Sequence, residues 1–291
     1  MQLRFGSVGV AGVGLIGGSI SLRLLRDDLV DEARGLDVNA SVLDFARSHG
    51  IISNVSSSES EFMRGLEVLI IATPIGRMEE LSLKLIPHAG GDLKVVIDVG
   101  STKAVVGKRL SEIWGEIYVG LHPMAGKELG GPQNASPDLF EGACCAIVPQ
   151  PSTSEKALSI AFELAKAIGA SPIWMSPEEH DTIVACTSHL PMFLAIALSA
   201  TAGAEKRRLP LLPKLVAGGF RDTTRVASGS PWLVSDVWAT NASAILPLLD
   251  RVIQLLCKVK TSSPEEIEAL ARDAKAMREE ILLNAPSRWT I

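Results

Sequence analysis

Hydrophobic and polar positions divide this chain into two kinds of pattern. Up to about residue 175, short apolar runs alternate with helix-periodic segments. Phe5–Ala11 predicts a strand, a glycine cluster follows, and a helix is expected from about Leu15 to Leu25. Ala33–Asp37 ends a second strand and Ser41–Ser48 reads as helix. Val68–Ala72 and Val95–Val99 are uninterrupted apolar runs, closed by Thr73-Pro74 and Gly100-Ser101. Such β-branched runs suit strands buried on both faces, as in a parallel sheet covered by helices. Strands spaced by helices predict βαβ units and an α/β, doubly wound sheet.

Beyond that point the pattern becomes purely helical. Pro177–Ala202, Ser235–Lys258 and Pro264–Leu283 are long and helix-periodic. The last opens on Ser263-Pro264-Glu265-Glu266, an N-cap serine with proline at the first helical position and glutamate closing a capping box. Its apolar residues Ile267, Leu270, Ala271, Ala274, Met277 and Ile281 share one face. Residues 1–174 are therefore expected to form a nucleotide-binding α/β domain and 175–291 an all-helical one, with the boundary near Met175.

Composition narrows the function classes. A chain of 291 residues, 47% hydrophobic and 21% charged, can bury a sizeable core, which excludes general disorder. A net charge of −5, from 28 basic and 33 acidic residues, argues against nucleic-acid binding through bulk electrostatics. Cys144, Cys145, Cys186 and Cys257 form no CxxC pair and no metal-ligand spacing, so they read as small buried hydrophobes and no metal is expected. The amino terminus carries no secretory pattern, and the most apolar stretch, Leu190–Ala202, is too short to span a bilayer. A cytoplasmic protein without a membrane partner is the expectation.

The first chemical motif is Gly12-Val13-Gly14-Leu15-Ile16-Gly17, a GxGxxG between a strand and a helix. Its glycines permit a tight turn, a close backbone approach to a pyrophosphate and close helix–strand packing, with the helix N-terminus facing the phosphates. Asp37, 25 residues after Gly12, ends the second strand, where its carboxylate can accept hydrogen bonds from a ribose 2′-hydroxyl. The same charge repels a 2′-phosphate, so NAD is favoured and NADP is the alternative. This is the Rossmann-type arrangement. Thr73-Pro74 and Gly100-Ser101-Thr102-Lys103 follow later strands and should rim the cofactor cleft. Ser101 reads equally well as a helix N-cap.

Three histidines stand out. His122 lies beside a proline in Leu-His-Pro-Met-Ala-Gly-Lys-Glu, a glycine-containing loop. An ordinary pKa near 6.5 suits it to general base work. His189 sits within an apolar helical stretch, where a hydrogen-bonded core histidine and a functional one are nearly even readings. His180 falls in a helix's first turn and reads as exposed or interdomain. Further on, Arg221 and Arg225 stand four apart on one expected helix face. They suit either surface ion pairing with Asp222 or a guanidinium fork on a substrate carboxylate.

In order along the chain, Gly12-Val-Gly-Leu-Ile-Gly-Gly-Ser19, Gly100-Ser-Thr-Lys103, His122-Pro-Met-Ala-Gly126, Ser188-His-Leu-Pro191 and Gly219-Phe-Arg-Asp-Thr-Thr-Arg225 resemble the prephenate/arogenate dehydrogenases of tyrosine biosynthesis. The glycine motif is widespread, and the histidine and arginine motifs are the specific ones. The resemblance implies an oxidative decarboxylation in which hydride passes to the nicotinamide, carboxylate leaves as CO2 and the ring becomes aromatic. It implies that His122 takes the hydroxyl proton, Ser101 orients that hydroxyl, and Arg225 anchors a substrate carboxylate. Arg221, Lys127, Glu128 and His189 would lie around the substrate. It further implies a helical dimerisation domain and hence a homodimer.

One departure bears on the substrate. Many prephenate-using relatives carry a second histidine after Ser-His-Leu-Pro, where this chain has Met192, and some arogenate-using relatives have an apolar residue there. Prephenate and arogenate differ by keto against amino, so one polar contact can set preference. Asp37 pulls toward NAD and prephenate, and that is the reading adopted, with arogenate dehydrogenase as the alternative. Another hydroxyacid or imine oxidoreductase would usually place a lysine on the first interdomain helix, and Pro177–Ala202 has none. A non-catalytic NAD-binding regulatory protein would need none of His122, Ser101 and Arg225.

Overall fold

The computed structural model describes residues 4–283 and Ala285, with the exception of Glu128. Its strands are β1 (Phe5–Ala11), β2 (Val30–Leu36), β3 (Asn54–Val55), β4 (Val68–Ile71), β5 (Val95–Asp98), β6 (Tyr118–Pro123), β7 (Cys144–Val148) and β8 (Ser171–Trp174). Between them run helices α1 (Leu15–Arg26), α2 (Ala40–Ser48), α3 (Glu59–Met63), α4 (Ile75–Leu85), α5 (Ala104–Trp114) and α6 (Glu155–Ala167). The strands form one sheet in the order β3-β2-β1-β4-β5-β6-β7-β8. All neighbours are parallel except β6 and β7, where Leu121 faces Ile147 in antiparallel register. The doubly wound expectation is met, and the antiparallel β7 with its parallel partner β8 extends it.

The period of two along the central strands separates two cores. Val68, Ile70, Val95 and Ile97 join the cluster on one face, with residues of α1, α2 and α6. Leu69, Ile71 and Val96 point the other way, onto α3, α4 and α5. Every residue of β4 and β5 is buried, as a sheet covered on both faces requires. Strand order reverses between β1 and β4, and ligands of such sheets collect outside the carboxyl ends at that crevice.

The remainder is helical: α7 (Pro177–Val184), α8 (Leu190–Glu205), α9 (Gly218–Thr224), α10 (Pro231–Val259) and α11 (Pro264–Leu283). A π-helical segment, Ala185–His189, joins α7 to α8. The resulting rod, Pro177–Glu205, is 29 residues long, enough by length and composition to cross a membrane. It is longer than the Leu190–Ala202 stretch because the π segment continues the helix. Its first turns are tied to the sheet and to α5 through His180 and Asp181. The core of the helical part is small, built on Ala185, Met192, Val237 and Ile245. Trp232, Trp238, Leu246, Ile253, Leu255, Leu256, Met277 and Ile281 stay exposed, a wide apolar surface. Cys186 and Cys257 are likewise exposed on these helices, contrary to the expectation of burial, whereas Cys145 is buried in the sheet.

Candidate active site

The glycine loop follows from packing at the β1–α1 turn. Gly12 adopts φ +93°, and a Cβ there would sit 2.7 Å from the backbone of Ala72 and Thr73. Gly17 packs against β1, where a Cβ would come within 2.9 Å of Val10 Cγ1. A Cβ on Gly14 would meet nothing within 4 Å, so this backbone is open to a close ligand. Leu15 is buried and Ile16 half-buried in the first turn of α1. Asp37, just beyond β2, accepts from Val13 N (3.0 Å) and Asn39 N (3.0 Å), so its carboxylate is fixed beside the glycine loop. Thr73 and Pro74 follow β4, and the Thr73 hydroxyl is buried without a protein partner. A charge-fixing carboxylate, an open glycine backbone and an orphaned hydroxyl on neighbouring strand ends fit a dinucleotide.

The next two strands carry the candidate chemistry. A buried ion pair shapes the loop after β5: Lys103 Nζ lies 2.6 Å from Asp98 Oδ1 and donates to Gly100 O at 2.8 Å. Tyr118 OH donates to Asp98 Oδ2 at 2.6 Å and Gly100 N to Asp98 Oδ1 at 2.8 Å. Burial and the neighbouring Asp98 charge push the Tyr118 phenol well above its ordinary pKa. Every polar atom of the pair thus has partners, which a buried charge requires. The loop presents Ser101, whose hydroxyl is buried without a protein partner. Ser101 does not cap α5. Asp181 does so from the helical part, Oδ1 accepting from Lys103 N (2.8 Å) and Oδ2 from Ala104 N (2.9 Å).

His122 is the next-to-last residue of β6, in the sheet and not in a loop, with Ala146 of β7 opposite it. Its Nδ1 lies 2.8 Å from His180 Nε2, and His180 Nδ1 lies 2.8 Å from Asp181 Oδ1. His180 is therefore fully buried between the two parts of the chain, interdomain but not exposed. A carboxylate only accepts, so His180 Nδ1 carries the hydrogen and donates to Asp181. With His180 neutral, its Nε2 accepts from His122 Nδ1–H, which leaves His122 Nε2 as a free lone pair. Burial first, then the electrostatic opposition of neighbouring His180, Lys103 and His189 to a further positive charge, holds His122 well below the ordinary histidine pKa. His122 is thus neutral at physiological pH, the state a base needs.

His189, buried in the π segment, faces Asn241 across 3.1 Å through its Nδ1. Burial lowers its pKa to about 4, the effect of His180 adding to this and that of Asp181 opposing it. Lys127 is exposed after β6, its ammonium 3.3 Å from Asn134 O. Arg221 is exposed and pairs with Asp222 at 3.7 Å, the surface arrangement. Arg225 is exposed and begins a 3₁₀ turn after α9, so the two arginines do not share one continuous α-helix. Glu128 lies outside the described residues. Sequence reasoning passed over Asp181, Asn241, Asp98 and Tyr118, and it placed Lys103 at the cleft rim, whereas the side chain is fully buried against Asp98.

The sequence matches the prephenate dehydrogenase nucleotide-binding domain over residues 23–173 and the prephenate dehydrogenase dimerization domain over residues 176–279. The chain belongs to the prephenate dehydrogenase family. Among members of that family, the Bacillus subtilis prephenate dehydrogenase is 33% identical over 274 residues, covering 93% of this chain and 74% of that one. A solved prephenate dehydrogenase from Aquifex aeolicus, in complex with hydroxyphenyl propionate and NAD+, superposes with a TM-score of 0.89 at 28% identity, covering 97% of this chain and all of that one. The solved Synechocystis arogenate dehydrogenase superposes with a TM-score of 0.77 at 28% identity, covering 94% of this chain and 99% of that one. Family membership makes the chain an NAD-dependent oxidoreductase of the prephenate/arogenate dehydrogenase type, as the motifs implied.

Proposed function

We propose that this chain catalyses the NAD-dependent oxidative decarboxylation of prephenate to 4-hydroxyphenylpyruvate, as a cytoplasmic homodimer. Residues 1–174 bind the dinucleotide, and residues 175–291 close the substrate side and form the dimer. The observation that carries this reading is the hydrogen-bonded series Asp181–His180–His122, which leaves one bare imidazole nitrogen at the carboxyl end of the sheet.

NAD, when bound, accepts hydride from the ring carbon that bears the hydroxyl. Gly12, Gly14, Leu15, Ile16, Gly17, Asp37, Thr73 and Pro74 form its binding edge. His122 Nε2 takes the hydroxyl proton as carbonyl character develops, a task worth roughly 10²–10⁴-fold in rate. Ser101 lies in the loop after β5, the strand paired with β6, and orients the same hydroxyl through its orphaned Oγ. As the proton arrives, His180 and the Asp181 carboxylate behind it stabilise the positive His122 ring; the backbone N–H groups at the α5 N-terminus hold that carboxylate in place. The carboxylate across the ring leaves as CO2, and its bonding pair completes the aromatic ring. Arg225, with Arg221, Lys127, Glu128 and His189 around the substrate, holds the carboxylates; the family resemblance supports these assignments.

The exposed apolar faces of α8, α10 and α11 support the homodimer, and the burial of His180 and Asp181 against α5 keeps the start of the long rod out of any bilayer. Arogenate is the second reading, favoured by Met192, which packs in the apolar core of the helical part, and by the Synechocystis likeness. Following absorbance at the NADH band with prephenate or arogenate, each with NAD or NADP, tests both. Turnover of prephenate with NAD supports the proposal, turnover of arogenate alone selects the second reading, and turnover of neither removes both.

A further inference from the structure

Asn241 sits at a break in α10, with φ −137° and ψ 17° inside an otherwise helical run of 29 residues. Its side chain is buried, and its Nδ2 makes two contacts: Asp181 O at 2.8 Å and His189 Nδ1 at 3.1 Å. The first contact fixes which way the amide faces. A backbone carbonyl cannot donate, so the NH2 group and not the oxygen must point at Asp181. The second hydrogen of that same NH2 group then points at His189. His189 Nδ1 is consequently an acceptor, and a neutral His189 must carry its hydrogen on Nε2. That Nε2 is buried and bonded to no protein group. A buried donor without an acceptor is costly, on the order of 1–3 kcal/mol, so it marks a place where an oxygen is expected to bind.

We infer that Asn241 is a positioning residue that fixes His189 as an Nε2–H donor for an anionic oxygen of the substrate. This rests on the proposed reaction, whose substrate carries two carboxylates. His122 and His189 then stand in opposite tautomers, one with a bare Nε2 to take a proton and the other with a protonated Nε2 to hold an anion. Asp181 is common to both, its carboxylate engaging His180 and its carbonyl engaging Asn241. One residue of α7 therefore couples the base to the anion donor.

The tautomer is read directly from long-range ¹H–¹⁵N spectra of histidine-labelled enzyme with NAD at neutral pH, His189 being identified by its loss in His189→Gln. A pyridine-type Nδ1 and a pyrrole-type Nε2 are expected; a protonated Nδ1 in the wild type overturns the inference, whatever the enzyme turns over. In Asn241→Asp the carboxylate offers only acceptors, so Nδ1 of His189 should become protonated, and an Nδ1 that stays bare overturns the role of Asn241. Kinetics supply the second readout with whichever substrate the NADH assay identifies. A glutamine amide nitrogen takes the place of Nε2 and an asparagine amide that of Nδ1. His189→Gln should hold substrate KM within a few-fold, while His189→Asn should raise it about 10-fold or more with kcat little changed. Equal effects of the two substitutions overturn the assignment to Nε2. Absence of turnover with every substrate overturns the reaction and leaves the tautomer measurement standing.

Discussion

His122 Nδ1 lies 2.8 Å from His180 Nε2, so a histidine at a strand end of the nucleotide-binding sheet is oriented by one from the helical part. The proposed base is therefore oriented only when the two parts are packed together. Substituting His180 by leucine removes the acceptor and frees the His122 ring to rotate or change tautomer. At least a ~10-fold loss of kcat is expected with NAD affinity unchanged, since loss of the orienting partner alone is severe in related triads. An unaltered kcat and pH profile would make His180 a packing residue only.

Asp37 is the residue proposed to govern cofactor choice. Its carboxylate holds Val13 N and Asn39 N beside the glycine loop, and if it also accepts from the ribose hydroxyls, as proposed, Asp37→Ala should weaken NAD by roughly 1.5–3 kcal/mol. Loss of the backbone contacts adds a structural component, so the informative quantity is the ratio of NAD to NADP efficiencies. That ratio should move toward NADP. A constant ratio would take Asp37 out of the ribose site.

His189 makes stability depend on pH. Its pKa is near 4 in the fold and about 6.5 in the unfolded chain. Above pH 6.5 neither state binds the proton and there is no effect. As pH falls from 6.5 towards 4 the unfolded chain protonates first, and roughly 3 kcal/mol of stability is lost across that window. Buried His122 acts in the same direction. Urea midpoints of wild type and His189→Gln, compared at pH 7 and pH 4.5, should converge on the acid side. Parallel curves would contradict the depressed pKa.

Lys103 and Asp98 form a fully buried pair, so Lys103→Met should leave an uncompensated carboxylate and cost about 3–5 kcal/mol. Adding Asp98→Asn should recover part of that loss, because the amide oxygen can still accept from Gly100 N while the amide NH2 donates to the Tyr118 hydroxyl oxygen. Calorimetric Tm values check this. A double variant no more stable than the single one would place the cost in packing.

Much of the fold is local in origin and so was legible from the chain. Strand β1 and helix α11 coincide with their expected spans, and β4 and β5 follow from their uninterrupted apolar runs. Strands β7 and β8 were not anticipated. The first is a Cys-Cys-Ala-Ile-Val run whose antiparallel partner is set by tertiary packing, and the second carries Pro172 at the sheet edge. The site divides in the same way. His122, Ser101 and the glycine loop announce themselves by short motifs. Asp181 caps α5 from 77 and 78 residues away, and no local pattern carries such a relationship. The Glu-Glu-His-Asp segment looked like an ordinary acidic first turn, and only the packed structure turns its last two residues inward. Ser101 misled for the complementary reason: the cap it resembled is supplied from elsewhere in the chain.

The account turns on His122 as the base, and pre-steady-state NADH formation by His122→Asn tests it most directly. The substitution keeps hydrogen-bonding capacity near His180 but cannot accept a proton at neutral pH. A fall of roughly 10²–10⁴-fold in the hydride-transfer rate, with NAD and substrate affinities within a few-fold of wild type, is the predicted result. A rate within a few-fold of wild type would contradict it, and the hydroxyl proton would then have to leave by another route.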